Sequence, residues 1–202
     1  MKTIITIQHT QSIHHTNGMV GSWTDWDLSE LGVRQAETLA KNLAAELSEG
    51  YVLYTSDLRR ARQTAAIVAE KLGITEIRER QELRERNLGE AVGKSVAWLQ
   101  ENIVKQEVTI DDRMFPSAES RRDVWERLTP FLQEILNSPE EKIILVSHGD
   151  LLSVWNALWL GMQPEQMNHC DLWGAAGSVG IMRAMDNGKR VINRMGDMSY
   201  LR

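Results

Sequence analysis

The sequence has little of what marks secreted, membrane-spanning or nucleic-acid-binding chains. Its 202 residues hold one cysteine, Cys170, so no internal disulfide can form and a reducing, cytoplasmic setting is expected. No stretch approaches the roughly 18 to 20 continuous apolar residues that cross a bilayer, so no membrane partner is expected. Positive charge is in deficit: 23 Lys and Arg against 28 Asp and Glu give a net charge of -5 and a pI near 5.6. A nucleic acid held by phosphate neutralisation is thereby excluded, and any anion site must be local. Repeats, low-complexity tracts and Pro/Gly/Ser-rich linkers are absent, so nothing marks a second domain within residues 1–202. What remains is an ordinary globular composition, 42% hydrophobic and 25% charged, long enough to bury a single core.

Short β-branched runs alternate with helical patterns. Thr3 to Ile7 reads as a strand, and Ala36, Leu39, Ala40, Leu43 and Leu47 have helical spacing. Tyr51 to Tyr54 is a second strand, followed by a helix from Leu58 to Leu72 that stops at Gly73. Ile74 to Ile77 is a weaker strand. Val124, Leu128, Phe131, Leu132, Ile135 and Leu136 define another helix, with Pro130 a candidate kink. The run Ile143-Ile144-Leu145-Val146 reads as a strand buried on both faces, the pattern of a parallel, helix-covered sheet. Leu151 to Leu160 should be helical, and Ser178 to Met182 with Arg190 to Ile192 should add edge strands. Trp125, Trp155 and Trp159 fall on helices as packing residues. The expected architecture is a three-layer α/β/α sandwich with a mostly parallel central sheet.

Ligands of such sheets bind beyond the carboxyl ends of the strands, where strand order reverses. His9 lies just past the first strand and His148 just past the most apolar one. The second strand leads through Thr55-Ser56-Asp57 into a helix carrying Arg59 and Arg60. Two imidazoles and a guanidinium at that crevice suit an anionic substrate, since arginine pairs bidentately with phosphate and neutral imidazole is a competent nucleophile. His9, His14 and His15 could alternatively be metal ligands, but neither a carboxylate ligand nor a helical His spacing accompanies them.

Separated segments, in order, resemble the histidine phosphatase superfamily of phosphoglycerate-mutase-like proteins. Gln8-His9-Thr10-Gln11-Ser12 resembles its Arg-His-Gly-Glu-Thr signature, and Thr24-Asp25 through Leu28-Ser29-Glu30-Leu31-Gly32 resembles the segment after it. Ser56-Asp57-Leu58-Arg59-Arg60-Ala61-Arg62-Gln63-Thr64-Ala65 is similar to the Ser-x-Leu-x-Arg-Ala-x-x-Thr motif. Leu83-Arg84-Glu85 is similar to a Leu-x-Glu segment, and Val146-Ser147-His148-Gly149 to a second His-Gly motif. The resemblance implies a phosphatase acting on a small phosphorylated metabolite through a phosphohistidine at His9, with Glu85 as proton donor and His148 completing the catalytic set. Arg60, Gly149, Gln8 and His15 would bind the phosphate. No cofactor or metal is implied, a cap-like insertion is expected around residues 86–118, and a homodimer is compatible with the sequence.

This sequence departs from the pattern at Gln8, Thr10 and Gln11, and His15 stands where an asparagine often meets phosphate. Gln8 removes a formal positive charge. A charged contact contributes roughly 1.5–3 kcal/mol against about 1 for a neutral one, so phosphate binding should weaken unless an imidazolium at His15, beside His14, substitutes. Two rivals to a phosphatase stand. In a phosphoglycerate mutase the phosphate returns to substrate; the family's cofactor-dependent mutases carry a longer insertion, with basic residues for a carboxylate, than the 62 residues between Glu85 and His148 here. Arg113, Arg121 and Arg122 leave such a pocket open. The other rival is a phospho-ligand-binding, regulatory protein whose turnover was lost with the first arginine.

Overall fold

A computed structural model describes residues 1–202. Six strands form one sheet: β1 (Lys2–Gln8), β2 (Val52–Thr55), β3 (Ile77–Glu79), β4 (Lys142–Ser147), β5 (Val179–Ala184) and β6 (Arg190–Asp197). Their order is β3-β2-β4-β1-β5-β6; β3, β2, β4 and β1 run parallel, and β5 and β6 each pair antiparallel with their neighbour. The helices are α1 (Glu30–Glu46), α2 (Arg59–Leu72), α3 (Val96–Asn102), α4 (Arg121–Asn137) and α5 (Gly149–Leu160).

The period-2 geometry of a strand divides the apolar run of β4 between two cores. Ile144 and Val146 pack with Ile5, Ile7 and Leu53 against Leu39 and Leu43 of α1 and Ala61, Ala65 and Val68 of α2. Ile143 and Leu145 pack with Ile4 against Leu128 and Phe131 of α4 and Trp155 and Trp159 of α5. Both indoles are fully buried. The three layers expected from the sequence are therefore present. A third, smaller cluster joins Val20 to Ala91, Phe115 and Ala118, with Trp98 of α3 against it; it gives the segment 86–118 a packing centre apart from the sheet.

Local chemistry fixes the helix ends. Ser29 caps α1 by accepting from the Gly32 N–H, and Ser120 caps α4 reciprocally with Asp123. Gly73 closes α2 at φ +67, a left-handed conformation that suits glycine. The sequence placed a strand at Ile74 to Ile77, and the structure corrects it. The Ile74 N–H bonds the Ala69 carbonyl to finish α2, and pairing begins at Ile77 against Leu53. Apolar residues after a helix stop read alike in either role. The expectation that Ser178 to Met182 is an edge also needs correction, because β5 lies between β1 and β6. Antiparallel pairing on both sides is not visible in its composition. α4 runs through Pro130, which has no N–H to offer the Glu126 carbonyl.

The loop after β1 is seated directly on α1. A Cβ at Gly32 would stand 1.8 Å from the Gln11 carbonyl oxygen, and the Thr10 hydroxyl donates to the Gly32 carbonyl at 2.8 Å. Gly32→Ala must push the loop bearing His9 off the helix. Overpacking of this kind costs about 1–3 kcal/mol, so the denaturant midpoint should fall correspondingly with unchanged slope. A midpoint equal to wild type would show that the loop is not held there.

Candidate active site

The register of two neighbouring strands creates the site. Gln8 pairs with Ser147, so the residues that follow, His9 and His148, leave the sheet side by side. The His9 N–H donates to the Ser147 carbonyl at 2.9 Å, and the ring centroids lie 5.1 Å apart. Ser56 leaves β2 at the same edge, its N–H on the Val146 carbonyl. At the second residue of α2, the buried Arg60 turns its guanidinium back toward His9.

Hydrogen bonds fix the His9 tautomer. A carbonyl can only accept, so the 2.8 Å contact between Nδ1 and the Thr10 oxygen puts the proton on Nδ1. The Nε2 lone pair then receives the Arg60 Nε–H at 3.1 Å. Burial, then the Arg60 charge, holds the His9 pKa well below the ordinary value, so the ring is neutral and Nε2 is nucleophilic. Arg60 is anchored by donating to the Thr24 and Ser22 carbonyls at 2.9 and 2.7 Å. Burial lowers its pKa to about 10, which leaves it charged at neutral pH. His148 is buried, and burial followed by the Arg60 charge depresses its pKa strongly. Its Nε2 meets the Ser56 hydroxyl at 2.8 Å, and that hydroxyl also accepts the Leu58 N–H. If Ser56 donates to Nε2, the proton of His148 sits on Nδ1, a buried atom with no protein partner.

His14 and His15 complete a cluster of imidazoles. The His15 ring stacks within 9° of the His9 plane at a centroid distance of 5.6 Å, and His14 lies 6.0 Å from His9. The Ser12 N–H donates to His15 Nδ1 at 3.1 Å, so Nδ1 carries a lone pair and the proton is on Nε2. Protonating His15 would break that bond. Burial and the Arg60 charge lower its pKa, and burial, His15 and Arg60 together bring His14 to about 3. The imidazolium substitute expected for the missing arginine is therefore unfavourable in the free site, where His15 is a neutral N–H donor. Gln8 is buried against Gly149, its Nε2 3.1 Å from where a Cβ would stand there, and its Oε1 lacks a partner.

Glu85 is half-buried and reaches the start of α5. Its carboxyl accepts N–H bonds from Arg86 and Leu151 at 3.0 Å and from Asp150 at 3.3 Å. Burial, then the Asp150 charge, raises its pKa. Its backbone carbonyl is held by the Trp23 indole and by Arg127. Every candidate named from the sequence thus lies along one edge: His9, Arg60 and His148 in a buried cluster, His15 stacked on it, Gln8 against Gly149, and Glu85 at the adjoining helix end. Ser56, Asp150 and the strained Ser22, at φ +43, were not singled out. Ser56 lay inside a quoted motif, but Ser22 and Asp150 give no signal without the fold. No group of three or more His, Cys, Asp or Glu side chains is arranged to hold a metal ion, and no helix is long and apolar enough to cross a membrane.

A neutral nucleophilic imidazole beside a buried guanidinium, at the strand ends of an α/β sandwich, has the form of an anion-binding, phosphoryl-transfer type of site. The chain belongs to the histidine phosphatase superfamily, branch 1, whose sequence model matches residues 4–197. It is 31% identical over 173 residues to a 2,3-bisphosphoglycerate-dependent phosphoglycerate mutase of Azorhizobium caulinodans, covering 81% of this chain and 84% of that one. It is 28% identical to phosphoglycerate mutase-like protein 4 of Arabidopsis thaliana, covering 98% and 86%. Among solved structures, a mycobacterial glucosyl-3-phosphoglycerate phosphatase superposes with a TM-score of 0.82 at 22% identity, covering 96% and 98%.

The neutral imidazoles have a consequence for stability. Folded His9 and His148 titrate below the unfolded value near 6.5, so only the unfolded chain gains protons as pH falls past it. Their contribution is constant above pH 6.5 and is lost on acidification, by about 2.7 kcal/mol per pH unit for the pair. Unfolding free energies measured from pH 7.5 to 5 should fall in this way, and His9→Gln should reduce the slope. Stability independent of pH across that range would contradict the buried neutral pair.

Proposed function

We propose that the protein is a phosphomonoester phosphatase working through a phosphohistidine at His9. The observation that carries this reading is the fixed tautomer: Thr10 holds the proton on Nδ1, leaving the Nε2 lone pair facing the Arg60 guanidinium. An arriving phosphate would take the Arg60 Nε–H from Nε2 onto one of its own oxygens, freeing the lone pair to attack phosphorus in line as the ester P–O bond breaks. The Nδ1–H bond to Thr10 supports the positive charge that the ring then acquires. Glu85 would give its proton to the departing alkoxide and take one from the water that cleaves the P–N bond. Arg60, the partnerless His148 Nδ1, the His15 Nε2–H and the first N–H of α5 at Gly149 would meet the phosphate oxygens, with the Gln8 amide as a neutral donor. The segment 86–118 would act as a cap that selects the alcohol portion of a small phosphorylated metabolite.

Both mutases and phosphatases stand among the similar proteins, and the mutase from Azorhizobium is matched over most of its length. Length therefore does not separate the two activities. Charge pairing favours the phosphatase. A mutase must hold a second anionic group of its substrate, which needs a cation. The arginines around Glu85 and the cap are already committed: Arg84 to Asp57, Arg86 to Glu107 and Asp150, Arg113 to Asp123, Arg121 to Asp150 and Asp171, Arg122 to Asp111 and Glu165, Arg127 to Glu119. The pairing of Arg113, Arg121 and Arg122 with carboxylates supports the phosphatase reading.

Release of inorganic phosphate from an aryl phosphate should exceed phosphoryl transfer to a phosphoglycerate acceptor, and should be insensitive to EDTA. Acid quenching during turnover should trap a phosphohistidine on wild type, whereas His9→Ala should lose at least about a thousandfold in rate and label. Equal labelling of both proteins removes His9 as nucleophile, and faster transfer than hydrolysis makes the protein a mutase.

A further inference from the structure

Two demands on Glu85 oppose each other. Glu85 accepts two backbone N–H bonds at the start of α5, from Asp150 and Leu151, and a third from the adjacent Arg86, and such donors favour the carboxylate. The Arg60 guanidinium on α2 acts in the same direction. As a proton donor, Glu85 must instead hold a proton when substrate binds. Burial helps the neutral form, but three N–H bonds and a cation work against it. One charged group is placed to reverse them. Asp150, the second residue of α5, gives its N–H to Glu85, and its carboxylate sits beside the same helix end.

That carboxylate is held between two guanidinium groups. Its Oδ2 lies 2.7 Å from Arg86 Nε and its Oδ1 3.2 Å from Arg121 Nε. Neither contact is an aligned hydrogen bond, since both Nε atoms and Oδ1 lack properly directed partners; the clamp is one of charge. The terminal nitrogens are directed elsewhere, those of Arg86 onto both oxygens of Glu107 and Arg121 NH1 onto Asp171 at 2.7 Å. Two guanidinium groups thus share three carboxylates, so the network as a whole carries one surplus negative charge, and Asp150 is its member that also bonds Glu85. The other charges facing Glu85 are Arg60, the Arg86 guanidinium, which is itself paired with Glu107 and Asp150, and Arg127 from α4, which donates to the Glu85 carbonyl and is paired with Glu119; His148 at the head of α5 is neutral.

We propose that Asp150 is the positioning residue that keeps Glu85 protonated, with Arg86 and Arg121 holding the Asp150 carboxylate in place at the head of α5. This rests on Glu85 being the proton donor of the proposed phosphatase. Asp150 does not touch the reacting atoms and acts only through the protonation of Glu85. A structural role at the helix N-terminus would weaken all substrates alike, whereas this one discriminates by leaving group. An alkoxide needs the proton as it departs; a nitrophenolate does not.

The experiment compares kcat/KM for p-nitrophenyl phosphate and β-glycerophosphate, across pH, in wild type, Asp150→Asn and Asp150→Glu. Removing the negative charge lowers the Glu85 pKa, so the alkaline limb for β-glycerophosphate should move down by about one pH unit in Asp150→Asn. Its kcat/KM above that limb should fall about tenfold, while p-nitrophenyl phosphate stays within about twofold. Asp150→Glu should restore the limb. The carboxyl titration of Glu85, followed by carbon NMR in the same proteins, should shift down in Asp150→Asn whether or not turnover is seen. Absence of turnover on both substrates in wild type would end the phosphatase reading, with the NMR titration still deciding the role of Asp150. An unmoved Glu85 titration, or equal losses on both substrates with an unmoved pH limb, overturns the proposal.

Discussion

The pairing of β1 with β4 is the constraint on which the rest depends. One register, Gln8 opposite Ser147, fixes two imidazoles at the same edge of the sheet, and a slip by one residue would turn every apolar side chain of β4 to the wrong face. That cannot happen cheaply, because Ile143 and Leu145 fill one core while Ile144 and Val146 fill the other. The precision of the site is thus inherited from a buried strand with no freedom to shift. Arg60 then arrives from the opposite layer, carried by a helix whose Ala61, Ala65 and Val68 pack under the same strands.

The electrostatic character of the crevice follows from placing one permanent cation among imidazoles. Burial and the Arg60 charge both disfavour imidazolium at His9, His15 and His148. An arginine in place of Gln8 would add a second like charge beside Arg60 and disfavour it further. Gln8 exchanges that charge for a neutral amide whose oxygen finds no partner, so the crevice offers an anion fewer ionic contacts and more N–H dipoles. The neutral His15, fixed with its proton on Nε2 by the Ser12 N–H, fits that scheme as a dipolar donor.

Much of this was legible in the sequence, and the limits have physical causes. The run 143–146 announced a doubly covered strand because only burial on both faces tolerates four consecutive large aliphatics. The ends of α1 and α2 were legible from Ser29 and Gly73, whose chemistry acts over a few residues. His9, Arg60 and His148 were legible because strand ends in a parallel sheet converge. The start of β3 was not, since Ile74 serves the closure of α2 and apolarity alone does not tell a helix stop from a strand. Asp150 was not singled out at all. Its meaning depends on Arg86 and Arg121, which reach it from other parts of the chain, and no local pattern encodes such a meeting.

Ser22 shows where the segment 86–118 is tied to the Arg60 guanidinium beside His9. Its backbone is left-handed at φ +43, a conformation that costs a non-glycine residue of order 1–3 kcal/mol and persists only when neighbours over-determine it. Three hydrogen bonds do so. The carbonyl accepts from Arg60 NH2 at 2.7 Å, and the hydroxyl donates to the Arg86 carbonyl and accepts the Leu88 N–H, each at 2.8 Å. One strained residue therefore connects the guanidinium behind His9 with the first residues of the segment 86–118. Arg86 continues that connection to Asp150 and the head of α5. The segment 86–118, the Arg60 guanidinium and the head of α5 are joined by one chain of contacts, so a change in that segment can reach the surroundings of His9 through Ser22 and Arg86.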